Sequence, residues 1–142
     1  MNQEERWAHL LGLDEELLQG GVMLSEWCAF IVREADTAFA SGANLASIIT
    51  AVAGVETYLR SETPKNQRAR LVDLINGAMI DDELKQDLHT LRKYRNSWVH
   101  VDDPWDDANL QEDPKTADCE LERMALFAAR TLRRTIYANP WI

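Results

Sequence analysis

One position breaks the apolar spacing of an otherwise regular stripe. Leu84, Leu88, Leu91 and Trp98 recur at helical intervals, and Arg95 stands where the next apolar residue belongs. A guanidinium on an inward face loses its hydration, so it needs a carboxylate partner or a cleft where an anion arrives. Glu56 lies on or beside a second stripe at positions 49, 52, 56 and 59, and is the candidate partner. The two read as a matched pair from facing helices. A plainer reading is a buried ion pair that fixes helix register. Arg95 also opens the hexapeptide Arg95-Asn96-Ser97-Trp98-Val99-His100. Arginine offers a permanent bidentate charge to phosphate oxygens, and histidine, with an ordinary pKa of about 6.5, takes or gives a proton at neutral pH.

Other reactive residue types have weaker patterns. Asp102, Asp103, Asp106 and Asp107 cluster after His100, but they lack the EF-hand spacing and its glycine, so no metal site is expected. His9 and His89 read as helix-surface residues. There is no HExxH, phosphate-binding glycine loop or GxSxG, and no cofactor is implied. Cys28 and Cys119 lack CxxC spacing and read as small core fillers, two free thiols that suit a reducing cytoplasm. Trp105 and Trp141-Ile142 fall outside the strong stripes and are interface candidates.

The elements that position these residues are all helical. Trp7, Leu10, Leu11, Leu17 and Leu18 mark an N-terminal segment, interrupted near Gly12, with Asp14 as N-cap of its second half. Met23, Trp27, Phe30, Ile31 and Ala38 predict a helix to about Ala40, closed by Ser41-Gly42. Asn44 is placed to cap a helix carrying Leu45, Ile48, Ile49, Val52, Val55 and Leu59, and Thr63-Pro64 ends it. Leu71, Leu74, Ile75 and Met79 mark the next. Asp81 or Asp82 caps the helix of Arg95. Asp113-Pro114 reads as an N-cap followed by proline at the first helical position. The last helix carries Leu121, Met124, Ala125, Ala128, Leu132 and Ile136. No segment alternates with period two, so the expectation is an all-α bundle of four main helices plus a short N-terminal one. It forms one domain over residues 1–142, with an N-terminal helical extension at 1–19 and an acidic loop at 101–114.

The 142 residues suit one domain, and 46% hydrophobic with 27% charged residues is ordinary globular composition. A net charge of −9 disfavours a general charge-driven nucleic-acid binder and a peripheral binder of anionic membranes. No run is long and apolar enough to span a bilayer, and the N-terminus carries acids where a secretory signal carries bases. The charge is uneven. Residues 1–36 hold 8 acids and 2 bases, and 101–122 hold 9 acids and 1 base. Residues 123–142 hold no acid and the arginines 123, 130, 133 and 134. That pattern predicts a basic face built from the helix of Arg95 and the last helix. The alternative is that these bases only complement helix C-termini.

The hexapeptide RNSWVH, at the end of a helix in a small all-α chain, resembles the R-x4-6-H motif of the HEPN superfamily. LHTLRKYRNSWVHVDDPWDD resembles its signature helix, with Asn directly after the Arg. ASGANLASIITAVAGVETYLRSE resembles its long paired helices, with a polar residue at Glu56. The likeness covers about residues 20–138. It implies a metal-independent endoribonuclease acting as a homodimer, with two motifs facing across a cleft, often in toxin–antitoxin or antiviral defence systems. Arg95 and His100 would be the catalytic pair and Asn96 an accessory, with Glu56 and Asp102 in support. Arg92, Lys93, Trp98 and Trp105 would be contacts to RNA or to an antitoxin or defence partner. The resemblance equally allows a module without catalysis that binds a protein or nucleotide. Some members carry Tyr two residues after the His, where this chain has Asp102. Residues five apart on a straight helix are rotated about 140°. His100 is therefore expected at a frayed helix end, or each motif works with its dimer mate.

Overall fold

The computed structural model describes residues 1–63 and 68–140, and all of its regular elements are helices. They are α1 (Gln3–Leu17), α2 (Glu26–Ala40), α3 (Asn44–Glu62), α4 (Leu71–Gly77), α5 (Asp82–Val99), α6 (Ala108–Glu112) and α7 (Pro114–Ile136). The all-α expectation holds. The long helices are five, α1, α2, α3, α5 and α7, so the N-terminal helix expected to be short is not. No helix among the described residues is long and apolar enough to cross a membrane.

Local chemistry explains most of the boundaries. Asn2 accepts from the backbone N–H of Glu5, and Glu5 accepts in return from that of Asn2, a capping box that starts α1. Ser25 caps α2 through the N–H of Cys28. Gly42, at φ +84°, turns the chain out of α2 in the left-handed region that a side chain would strain. Asp81 caps α5 through the N–H of Leu84 at 2.7 Å. Asp113 caps α7 through Thr116, with Pro114 behind it.

Three boundary expectations fail. α1 runs through Gly12 without a break and is as long as α2, because Gly12 faces open space where only its propensity cost of about 1 kcal/mol applies. Asp14 caps nothing. Asn44 is the first residue of α3, and its side chain accepts from Arg6 at 2.8 Å. The stop expected at Thr63-Pro64 is met at Thr63, which ends α3, and Pro64 lies outside the described residues.

α3 is the hub. It packs most extensively on α2 and α7 and also meets α4 and α5. Gly54 permits the approach. A Cβ there would lie 3.1 Å from Leu132 Cδ1 and 3.6 Å from Ile31 Cγ2. The buried cluster includes Phe39, Ile48, Val52, Val55, Leu88 and Leu132. α5 packs on α7, α3 and α4, while α1 packs on α2 and α7.

The face of α2 differs from expectation. Its buried residues are Cys28, Ala35, Phe39 and Ala40. Trp27 is 79% exposed and Phe30 56%, and Met23 is exposed too. Trp7 and Leu11 of α1 also face solvent. Trp27 and Phe30 share a helical spacing, but on the outward side.

Two arginines lie inside. Arg133, 2% exposed, donates through Nε to Asp14 (2.8 Å) and through both terminal nitrogens to Asp36 (2.9 and 2.8 Å). Desolvation pulls its pKa down, and the Asp36 and Asp14 carboxylates outweigh that, leaving it above its ordinary value. The Tyr137 hydroxyl donates to the same Asp14 oxygen at 2.7 Å. Arg6, 5% exposed, donates to the Phe39 carbonyl, Asn44 and Glu122. These two centres tie α1 to α2, α3 and α7.

Candidate functional site

α5 is held at its start by α4. Lys85 Nζ donates to the Asn76 carbonyl at 2.9 Å, and His89 Nε2 pairs with Asn76 Oδ1 at 2.8 Å. Desolvation, then Arg92 and Lys93, keep the His89 pKa below its ordinary value. Leu84, Leu88 and Leu91 are buried, whereas Arg95 and Trp98 are half-buried. The stripe therefore rises out of the core as it reaches Arg95.

There the expected partner is missing. Glu56 pairs with Arg60 of its own helix at 3.4 Å, both side chains more than a third exposed. It does not hold Arg95, because one turn of α3 offers Glu56 a nearer cation. Arg95 Nε instead donates to Asn96 Oδ1 at 2.9 Å. His100 is the C-cap of α5, at φ −126° and ψ 62°, and its N–H donates to the Asn96 carbonyl. Asn96 thus contacts Arg95 with its side chain and His100 with its backbone. The His100 side chain is exposed at the helix end, where the rotation argument puts it.

The basic face expected from α5 and α7 largely dissolves. Arg133 is internal, Arg134 pairs with Asp87, and Arg130 pairs with Glu16 at 2.8 Å. Among the described residues Arg92, Arg95 and Arg123 keep no carboxylate within ion-pair distance. Arg92 is half-buried, and its Nε is fully buried with no partner. Its nearest polar contact is a 3.4 Å approach of a terminal nitrogen to His89 Nδ1. Arg123 reaches the same end of α5, acting on Tyr94. Burial first, then the charge of Glu120, push the Tyr94 phenol up. Positions 88–101 contain no acid at all. Arg92, Lys93 and Arg95 thus make a short cationic stretch of α5 in an acidic chain, with Glu120 of α7 nearby at Tyr94.

The acidic loop follows at once. Val101, Asp102, Asp103, Trp105 and Asp106 are exposed, Trp105 at 88%. Asp103 Oδ1 accepts from the Trp105 N–H at 3.1 Å, and the Asp106 N–H donates to the Asp103 carbonyl. No carboxylate reaches ion-pair distance of His100 among the described residues. α6, a single turn not expected from the sequence, closes the loop over a cavity of about 390 Å³ beside Trp98, Leu110, Thr116 and Glu120. A larger cavity of about 560 Å³ lies at the other end of α5, beside Leu17, Leu84 and Tyr137, away from His100. No group of three or more His, Cys, Asp or Glu suited to a metal occurs among the described residues. Cys28 is buried, and burial pushes its thiol pKa up. Cys119 is exposed on α7 and fills no core, contrary to expectation. His9 is half-buried against Phe39, and desolvation, Arg130 and Arg133 lower its pKa. Trp141-Ile142, expected at an interface, lie outside the described residues.

Comparison with protein-family models, with curated proteins and with solved structures finds no match for this chain.

Proposed function

We propose that the chain is a HEPN-like, metal-independent endoribonuclease that works as a homodimer in the cytoplasm, within a prokaryotic toxin–antitoxin or antiphage defence system. The observation that carries the reading is the pair Arg92 and Arg95. Both are half-buried without a carboxylate in ion-pair distance among the described residues, one helical turn apart on the helix that the exposed His100 ends. Such guanidinium groups seek an anion from outside, and a phosphodiester supplies one bidentately. Arg95 would neutralise the charge that builds on the phosphorane, with Asn96 fixing its direction. His100 would take the proton of the ribose 2′-OH as that oxygen bonds to phosphorus. The bond from phosphorus to the 5′ oxygen breaks, and the departing oxygen receives a proton from the His100 of the second copy. The products are a 2′,3′-cyclic phosphate and a free 5′-OH. Lys93, Trp98 and Trp105 would contact RNA or a partner protein.

The exposed acids of the loop favour a second reading, a HEPN-like module that binds a partner without catalysis, because carboxylates beside His100 repel a polyanion. Cleavage of labelled single-stranded RNAs and tRNAs in EDTA separates the two. Wild type should cut and leave cyclic phosphate ends, and a folded His100→Ala variant should not. Silence from folded wild type, or equal cutting by both, would move the assignment to the binding module.

A further inference from the structure

The outward face of α2 has no partner among the described residues. Glu26, Phe30, Arg33 and Thr37 recur at three- and four-residue steps along the middle of that face, all exposed, with Trp27 and Glu34 beside them. Trp27, Phe30 and Ile31 with Glu26 line an open apolar depression of about 410 Å³. Trp27 and Phe30 together present on the order of 300 Å² to water, at the edge of what a monomer commonly leaves uncovered. The Arg33 guanidinium lies over the Phe30 ring, 4.2 Å from its centroid, and its contact with Glu34 is a long 3.7 Å between exposed side chains.

The charges identify an occupant. Glu26 and Arg33 are seven residues apart, so they lie on one line about 10 Å long, with opposite signs at its two ends. A parallel copy of that line would set like charges together. An antiparallel copy sets each Glu26 against an Arg33. The two-fold axis then passes between Ala29 and Phe30, and each Phe30 ring lies against the small, exposed Ala29 of the other helix. We propose that α2 is a self-association surface and that its partner is α2 of a second copy, antiparallel across a two-fold axis. A closed, isologous pairing of this kind uses the same patch on both molecules. The apolar area is small against the roughly 800 Å² per partner of a stable complex, so the association is weak and depends on concentration.

This surface is separate from the site at the end of α5. α2 packs on α3, α1 and α7 and makes no contact with α5. The inference stands whether or not the chain cuts RNA. If the α5 ends also pair, the two surfaces together give assemblies larger than a dimer, and disrupting α2 leaves at most the dimer paired through α5.

Sedimentation equilibrium at micromolar concentrations, with circular dichroism as a check on folding, tests the proposal. The average mass of wild type should rise with concentration above that of Trp27→Ser, toward twofold where α2 alone pairs. Glu26→Arg and Arg33→Glu should each weaken association about tenfold or more, since each puts like charges together twice. The double variant Glu26→Arg, Arg33→Glu should recover most of the wild-type strength. Equal masses for wild type and Trp27→Ser would overturn the self-association. A double variant as weak as either single one would overturn the antiparallel register. Retained RNA cleavage by the Trp27→Ser variant would mark the two surfaces as independent.

Discussion

Arg133 on α7 and Arg92 on α5 are both withdrawn from water, on helices that pack against each other, and they face opposite circumstances. Arg133 meets two carboxylates and a third polar neighbour through Asp14, so every strong donor it turns inward is answered. Arg92 leaves a buried Nε with nothing to accept its hydrogen. The chain carries 24 acids, so carboxylates are not scarce. The difference shows that burial of a cation alone does not report function. The balance of its partners separates the two: Arg133 is matched within the frame, and Arg92 keeps a buried Nε with no acceptor among the described residues.

The largest effect that sharpens this contrast is on stability. Arg133→Met strands Asp14 and Asp36 and should cost about 3–5 kcal/mol in urea denaturation. A loss below about 1 kcal/mol would mean that the two centres are not different in kind. Next comes Tyr137→Phe, which removes one hydrogen bond to a carboxylate and should cost about 1–2 kcal/mol. The same residue sets an alkaline limit. Burial, then Asp14, hold the folded Tyr137 pKa above its unfolded value, so the folded state keeps its proton longer. Its stabilising contribution is full below about pH 10 and falls as pH rises beyond that. Unfolding titrations should show this decline in wild type and a shallower one in Tyr137→Phe. Smallest is Arg92→Gln, expected to change stability by less than about 0.5 kcal/mol. Its signature is in binding. The affinity for a 2′-O-methyl oligoribonucleotide should fall, and the slope of log affinity against log salt should shrink by about 0.7. An unchanged slope would remove Arg92 from any phosphate contact.

Much of the frame was legible because it is written locally. Asp81, Asp113-Pro114 and Gly42 act on residues within a turn of themselves, and the 3.6-residue period of the last helix is unmistakable. What failed was non-local. Nothing near Arg133 announces that its partners stand 119 and 97 residues away, and four arginines in one acid-free segment read as a surface. Glu56 illustrates the same limit: two residues on facing stripes need not meet when a cation sits one turn along. α2 carries two apolar sides, and the large aromatic one drew attention over Cys28, Ala35 and Phe39. Spacing identifies a face without saying whether it turns in or out. The sequence order of Arg95, Asn96 and His100 placed them at one helix end, and the unpartnered state of Arg92 emerged only once its neighbours were known.

The Asp14–Arg133 contact also has a consequence in time. Of the seven helices described, α1 leaves the ribosome before the others, and its anchoring cation belongs to α7. At typical rates of synthesis the interval is on the order of ten seconds. Throughout it Asp14 has no Arg133 to bind and Arg6 has no Glu122. α1 therefore gains its charged ties to α7 only once that helix has been made, while its packing on α2 and the bond from Arg6 to Asn44 need only the first third of the chain.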